Sequence, residues 1–128
     1  MRKKIYLYSA IFWSGLILYL CLENAQNLKE ITIPNFDKFI HIVFHFVFTI
    51  LWFLYLKKKF KTSSNVNLLA VTLIVSFVFG IAIEMMQQYF TTTRAADAFD
   101  ILANLFGALL AAFLIILVNA YNGSIDKI

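Results

Sequence analysis

The sequence predicts an all-α integral membrane protein, a four-helix bundle with both termini in the cytoplasm. Three observations predict it. The chain has 128 residues, of which 62% are hydrophobic and only 14% charged, against about 25% charged in an ordinary soluble domain. The apolar residues gather into four runs, 5–22, 39–56, 66–90 and 98–121, each close to the roughly 17–25 residues that a helix needs to cross a ~30 Å hydrocarbon core. The basic residues, finally, are unevenly shared between the two sides that those runs define. Continuous rather than alternating apolar runs argue against a membrane β-barrel. The length suits a single domain spanning 1–128.

Orientation follows from Lys and Arg. Eight of the 11 basic residues fall on one side: Arg2, Lys3, Lys4, Lys57, Lys58, Lys59, Lys61 and Lys127. Lys29, Lys38 and Arg94 fall on the other. The first side is therefore cytoplasmic. The net charge of +4 is a topology signal. It is no nucleic-acid footprint, because the Lys57–Lys61 cluster sits at a membrane edge, where anionic lipid is the natural partner.

The first run opens like a signal peptide, Arg2-Lys3-Lys4 before apolar residues. It is longer than a typical signal core and no small-x-small cleavage site follows, so it reads as an uncleaved anchor. Ala10, Ser14 and Cys21 share one face, which lets a neighbouring helix approach. Cys21 is the sole cysteine, so neither an intrachain disulfide nor a cysteine zinc pattern is available. The segment 22–36 is the first outer connection, and Asn35 or Asp37 suits a cap for the second helix.

The second run puts Asp37, His41 and His45 on one helical face at i, i+4, i+8. Trp52 and Tyr55, followed by three lysines, read as an interfacial anchor at its other end. A short polar turn, 62–67, leads to the third run, where Gly80, Glu84, Gln87 and Gln88 fall on one face. Thr91-Thr92-Thr93-Arg94 forms a tight outer turn. The fourth run then carries Asp97, Asp100, Asn104 and Gly107 as one stripe, with Ala108 and Ala111 continuing a small-residue face.

Ionisable groups at membrane depth cost roughly 2.5–3.5 kcal/mol each on insertion scales and are kept where they pair, face inward or work. At 1.5 Å per residue, the polar positions of the second, third and fourth helices all fall within the outer third of a ~30 Å core. The expectation is one outward-opening polar cavity lined by Asp37, His41, His45, Glu84, Gln87, Arg94, Asp100 and Asn104.

These residues resemble a known family. Asp37-Lys38 followed by His41, then Glu84-x-x-Gln87, Arg94, Asp97, Asp100, Asn104 and Gly107, are similar in order and spacing to the motifs of VanZ-like membrane proteins. The likeness covers the second to fourth helices. This chain departs from the family in Thr92-Thr93 before the arginine and in His45 where an aromatic is common. The resemblance implies a small multi-helix protein of the bacterial cytoplasmic membrane, with a ligand site at Asp37, Lys38, His41, Glu84, Gln87, Arg94, Asp97, Asp100 and Asn104. It also implies a link to low-level teicoplanin resistance and to lipid-linked cell-wall or glycopeptide ligands at the outer face.

Each residue has a plainer reading beside the functional one. Asp37 and Asp97 suit helix N-termini, Lys38 snorkels, and Arg94 pairs with nearby acids or forks around a phosphate or carboxylate. Gln87 and Asn104 are interhelical hydrogen-bond glue. His41, Glu84 and Asp100 are the catalytic candidates should the protein be a hydrolase or transferase. His41 and His45 at i, i+4 have zinc-chelating spacing that Glu84 or Asp100 would complete, but His-Glu-x-x-His is missing, and no metal or cofactor is assigned. No nucleophile elbow or phosphate-cradling glycine loop is present. An ion pathway ranks last, because the inner halves of the helices are almost purely apolar, with Ser76 and Asn119 the main exceptions.

Overall fold

The computed structural model describes residues 2–22, 36–90 and 98–122, with side chains at 4–21, 38–89 and 98–120. Among them lie four helices: α1 (Arg2–Leu22), α2 (Phe36–Lys59), α3 (Asn65–Phe90) and α4 (Ala98–Asn122). All four are long and apolar enough to cross a membrane. They begin earlier or end later than the apolar runs, because the run measures hydrocarbon while the helix continues through polar ends. Thus α2 extends past Leu56 to Lys59 and α3 starts at Asn65, leaving a tighter turn than 62–67. Ser64 caps α3 by accepting a bond from the Asn67 amide at 3.1 Å, satisfying one of the open donors of the first turn. Lys57 Nζ reaches the Ser63 carbonyl at 3.4 Å across that turn.

Helix α2 is the hub. It packs against each of the others, most extensively against α4, while α1 and α4 do not meet among the described residues. Lipid is as apolar as a leucine side chain, so close backbone approach and interhelical hydrogen bonds must hold such helices together. Both are present. A Cβ built on Gly107 of α4 would overlap the Ile42 carbonyl of α2 and lie 2.9 Å from its carbon, so only glycine permits this seam. Ala108, Ala111 and Ala112 continue it as buried small residues.

On the opposite flank, Ala10 and Cys21 of the expected small-residue face are buried, Ser14 is half-buried, and Ile17 completes the buried stripe of α1. Trp13 Nε1 donates to the Phe44 carbonyl at 2.9 Å, and Trp52 Nε1 donates to Ser14 Oγ at 3.1 Å. Trp52 is therefore tied into the α1–α2 seam instead of acting solely as an interfacial anchor. Phe48 stacks on Phe79 across α2 and α3 at 4.7 Å between centroids. The outward faces of the helices carry large exposed apolar side chains, among them Phe12, Ile74 and Phe113, which is the surface that lipid requires.

Candidate functional site

The polar side chains gather at the end of the bundle where α2 and α4 begin and α3 ends. Lys38 and His41 lie in the first two turns of α2, Glu84 in the second-last turn of α3, and Asp100 and Asn104 in the first two turns of α4. At 1.5 Å rise these positions are within about 9 Å of their helix ends. Three different helices thus present polar faces at one level, as the sequence predicts.

The contacts are specific. Lys38 Nζ forms an ion pair with Asp100 Oδ1 at 2.6 Å. His41 Nδ1 and Asn104 Oδ1 are 2.9 Å apart. An amide oxygen only accepts, so Nδ1 carries the proton and donates. That leaves His41 Nε2 facing Asp100 Oδ2 at 3.6 Å, beyond hydrogen-bond length. Glu84 is buried beside them, and one ligand-capable atom each from His41, Glu84 and Asp100 lie within 4.8 Å of one another.

Gly80 makes room for this arrangement. A Cβ there would stand 2.8 Å from Asn104 Nδ2 and 3.3 Å from His45 Cε1. Among the described residues Asn104 Nδ2 is buried without a hydrogen-bond partner, in a setting where an unmade bond costs about 1–3 kcal/mol.

Two expected members stand apart. His45 shares a hydrogen bond with Ser76 at 2.8 Å, deeper in the bundle, and stacks against Phe48 and Phe79. It is a packed residue of the α2–α3 seam and forms no chelating pair with His41. Gln87 donates through Nε2 to the Cys21 carbonyl at 2.7 Å, tying α1 to α3 next to the site; this is the glue role. The polar face of α3 also ends at Gln87, since Gln88 is exposed. The side chains of Asp37, Arg94 and Asp97 lie outside the described residues.

Sequence reasoning passed over two buried hydroxyls, Thr49 and Thr72. Thr72 Oγ1 bonds back to the Leu68 carbonyl at 2.7 Å, a self-satisfied arrangement that a threonine within an apolar helix signals. Thr49 Oγ1 is buried with no partner among the described residues.

The chain matches the family model described as VanZ/LLP1 over residues 5–119. No match was found among curated proteins or among solved structures.

Proposed function

The chain belongs to the VanZ/LLP1 family, and on that premise we propose that it binds a lipid-linked or other cell-envelope ligand at the outer leaflet of a bacterial cytoplasmic membrane. The observation that supports this reading is the convergence of Lys38, His41, Glu84, Asp100 and Asn104 from three helices at one end of the bundle. Charged and amide groups at membrane depth are expensive, and a headgroup bearing phosphate or carboxylate is the partner that gives them work. The asymmetry of Lys and Arg supports placing that end on the external side. Membrane lipid, a lipid-linked cell-wall precursor and a glycopeptide are the candidate ligands, the last in keeping with the family's link to teicoplanin resistance.

The test is a thermal-shift series on purified protein in detergent. Lipid extract and soluble headgroup analogues should raise the unfolding midpoint of the wild type and of His45→Ala. They should leave His41→Ala and Arg94→Ala unmoved. Equal shifts in all four proteins would refute the reading.

One observation favours a second reading, a hydrolase or transferase. His41, Glu84 and Asp100 bring an imidazole and two carboxylates within 4.8 Å, which is the equipment for general acid–base work on a bound ester. Release of a water-soluble headgroup from labelled lipid, lost in Glu84→Gln and Asp100→Asn, would decide for it.

A further inference from the structure

We propose that His41 Nε2, one oxygen of Glu84 and Oδ2 of Asp100 form the protein's three ligands to a divalent transition-metal ion. This rests on the reading of the cluster as the working site, and it names what the cluster holds.

The geometry carries the proposal. One ligand-capable atom from each of the three residues, on three different helices, lies within 4.8 Å of the other two. With bonds of about 2.1 Å, two ligands of a tetrahedral ion stand about 3.4 Å apart. The His41 Nε2–Asp100 Oδ2 separation of 3.6 Å is close to that span. It is too long for a hydrogen bond. The Asn104 oxygen accepts from Nδ1, so in the neutral ring a lone pair of Nε2 would face the carboxylate oxygen. In that form the two atoms are acceptors turned toward each other, the arrangement that a cation between them requires.

The surroundings match as well. Metal-ligating histidines donate their second N–H to a carbonyl or carboxylate, which sets tautomer and ring orientation, and the Asn104 amide oxygen is placed to accept that bond from His41 Nδ1. Lys38 holds Oδ1 of Asp100 and leaves Oδ2 directed at the histidine. All three ligands are buried, at 5%, 1% and 7% exposure for His41, Glu84 and Asp100. Bundle-core metal sites are built in this way, from inward side chains on facing helices. One imidazole and two carboxylates suit zinc, manganese or iron, and the set lacks the thiolate that would select copper(I). Three protein ligands leave a coordination position for water or for an oxygen of the ligand, as in catalytic zinc sites. An ion there would polarise a phosphoryl or carbonyl oxygen brought in by a headgroup.

The test uses the full chain in nanodiscs of phosphatidylglycerol and phosphatidylcholine, stripped with chelator and exchanged into chelator-free buffer. Zinc, manganese, calcium and magnesium chlorides are titrated separately, with bound metal measured by mass spectrometry. One equivalent of zinc or manganese per chain is expected. His41→Ala, Glu84→Gln and Asp100→Asn should each weaken it about 100-fold or more, and Asn104→Ala about 10- to 100-fold. His45→Ala should bind as the wild type does. Equal binding by His41→Ala and wild type, or no stoichiometric zinc or manganese in the wild type, overturns the proposal.

X-ray absorption on the zinc-loaded wild type needs no variant to fold. A shell of one imidazole nitrogen with carboxylate oxygens at about 2.0–2.2 Å supports the assignment, and a sulfur or water-only shell overturns it. Protein that holds zinc yet shows no lipid-induced shift keeps this assignment and sinks the lipid-binding reading. Protein that is stabilised by lipid yet holds no metal does the reverse.

Discussion

Gly107 of α4 rests against the Ile42 carbonyl of α2 with no space for a methyl group between them. Ile42 follows His41 directly, and Gly107 lies one turn beyond Asn104. The contact that sets the spacing of the two helices is therefore the one beside the His41–Asn104 hydrogen bond. Gly107→Ala should force the seam apart and destabilise by about 1–3 kcal/mol, as overpacking does. Gly15, with nothing within 4 Å of a built Cβ, is the control. Gly15→Ala should be neutral or slightly stabilising. Unfolding midpoints of the two variants in the same detergent check the contrast.

The Lys38–Asp100 pair is partly buried, at 24% and 10% side-chain exposure. Removing one partner should cost more than removing both, because an ion is then left in a poor solvent. Lys38→Met should destabilise more than the double variant Lys38→Met/Asp100→Asn. A double-mutant cycle should give a coupling of about 1–3 kcal/mol, reduced from the fully buried range by solvent screening. A coupling near zero would mean that the pair is ornamental.

His45 and Ser76 should behave as structure and leave binding alone. Ser76→Ala leaves one nitrogen of a buried ring without this partner and should cost about 1–3 kcal/mol. His45→Phe with Ser76→Ala should recover part of that loss. Ligand-induced thermal shifts should persist in both variants, in contrast to His41→Ala.

Topology is checked by labelling single cysteines in a Cys21→Ser background in intact cells. A cysteine at Thr92 should react with an impermeant maleimide from outside, and one at Thr62 only after lysis. The opposite pattern would put the site on the cytoplasmic face.

The helices were legible because membrane length and apolar continuity are one-dimensional properties of a chain. The site was nearly as legible, since polar residues in apolar runs announce themselves, and depth arithmetic alone brings His41, Glu84, Asp100 and Asn104 to one level. Partner choice was not legible. Helical spacing places His45 one turn below His41 with no indication that it turns to Ser76, because that depends on how α3 is rotated against α2. The same rotation sends Gln88 outward while Gln87 reaches Cys21. Trp52 looked interfacial by position, yet its N–H found Ser14 on α1, a pairing that only the packing of the two helices creates.

The central claim is that side chains from three helices meet in one place. Solid-state NMR of the uniformly labelled protein in bilayers tests it most directly, through magnetisation transfer from the His41 imidazole. The account predicts cross-peaks from that ring to the Asp100 and Glu84 carboxyl carbons, with a His45–Ser76 cross-peak as the internal standard. A spectrum with the His45–Ser76 peak but no transfer from His41 to either carboxyl group would contradict it.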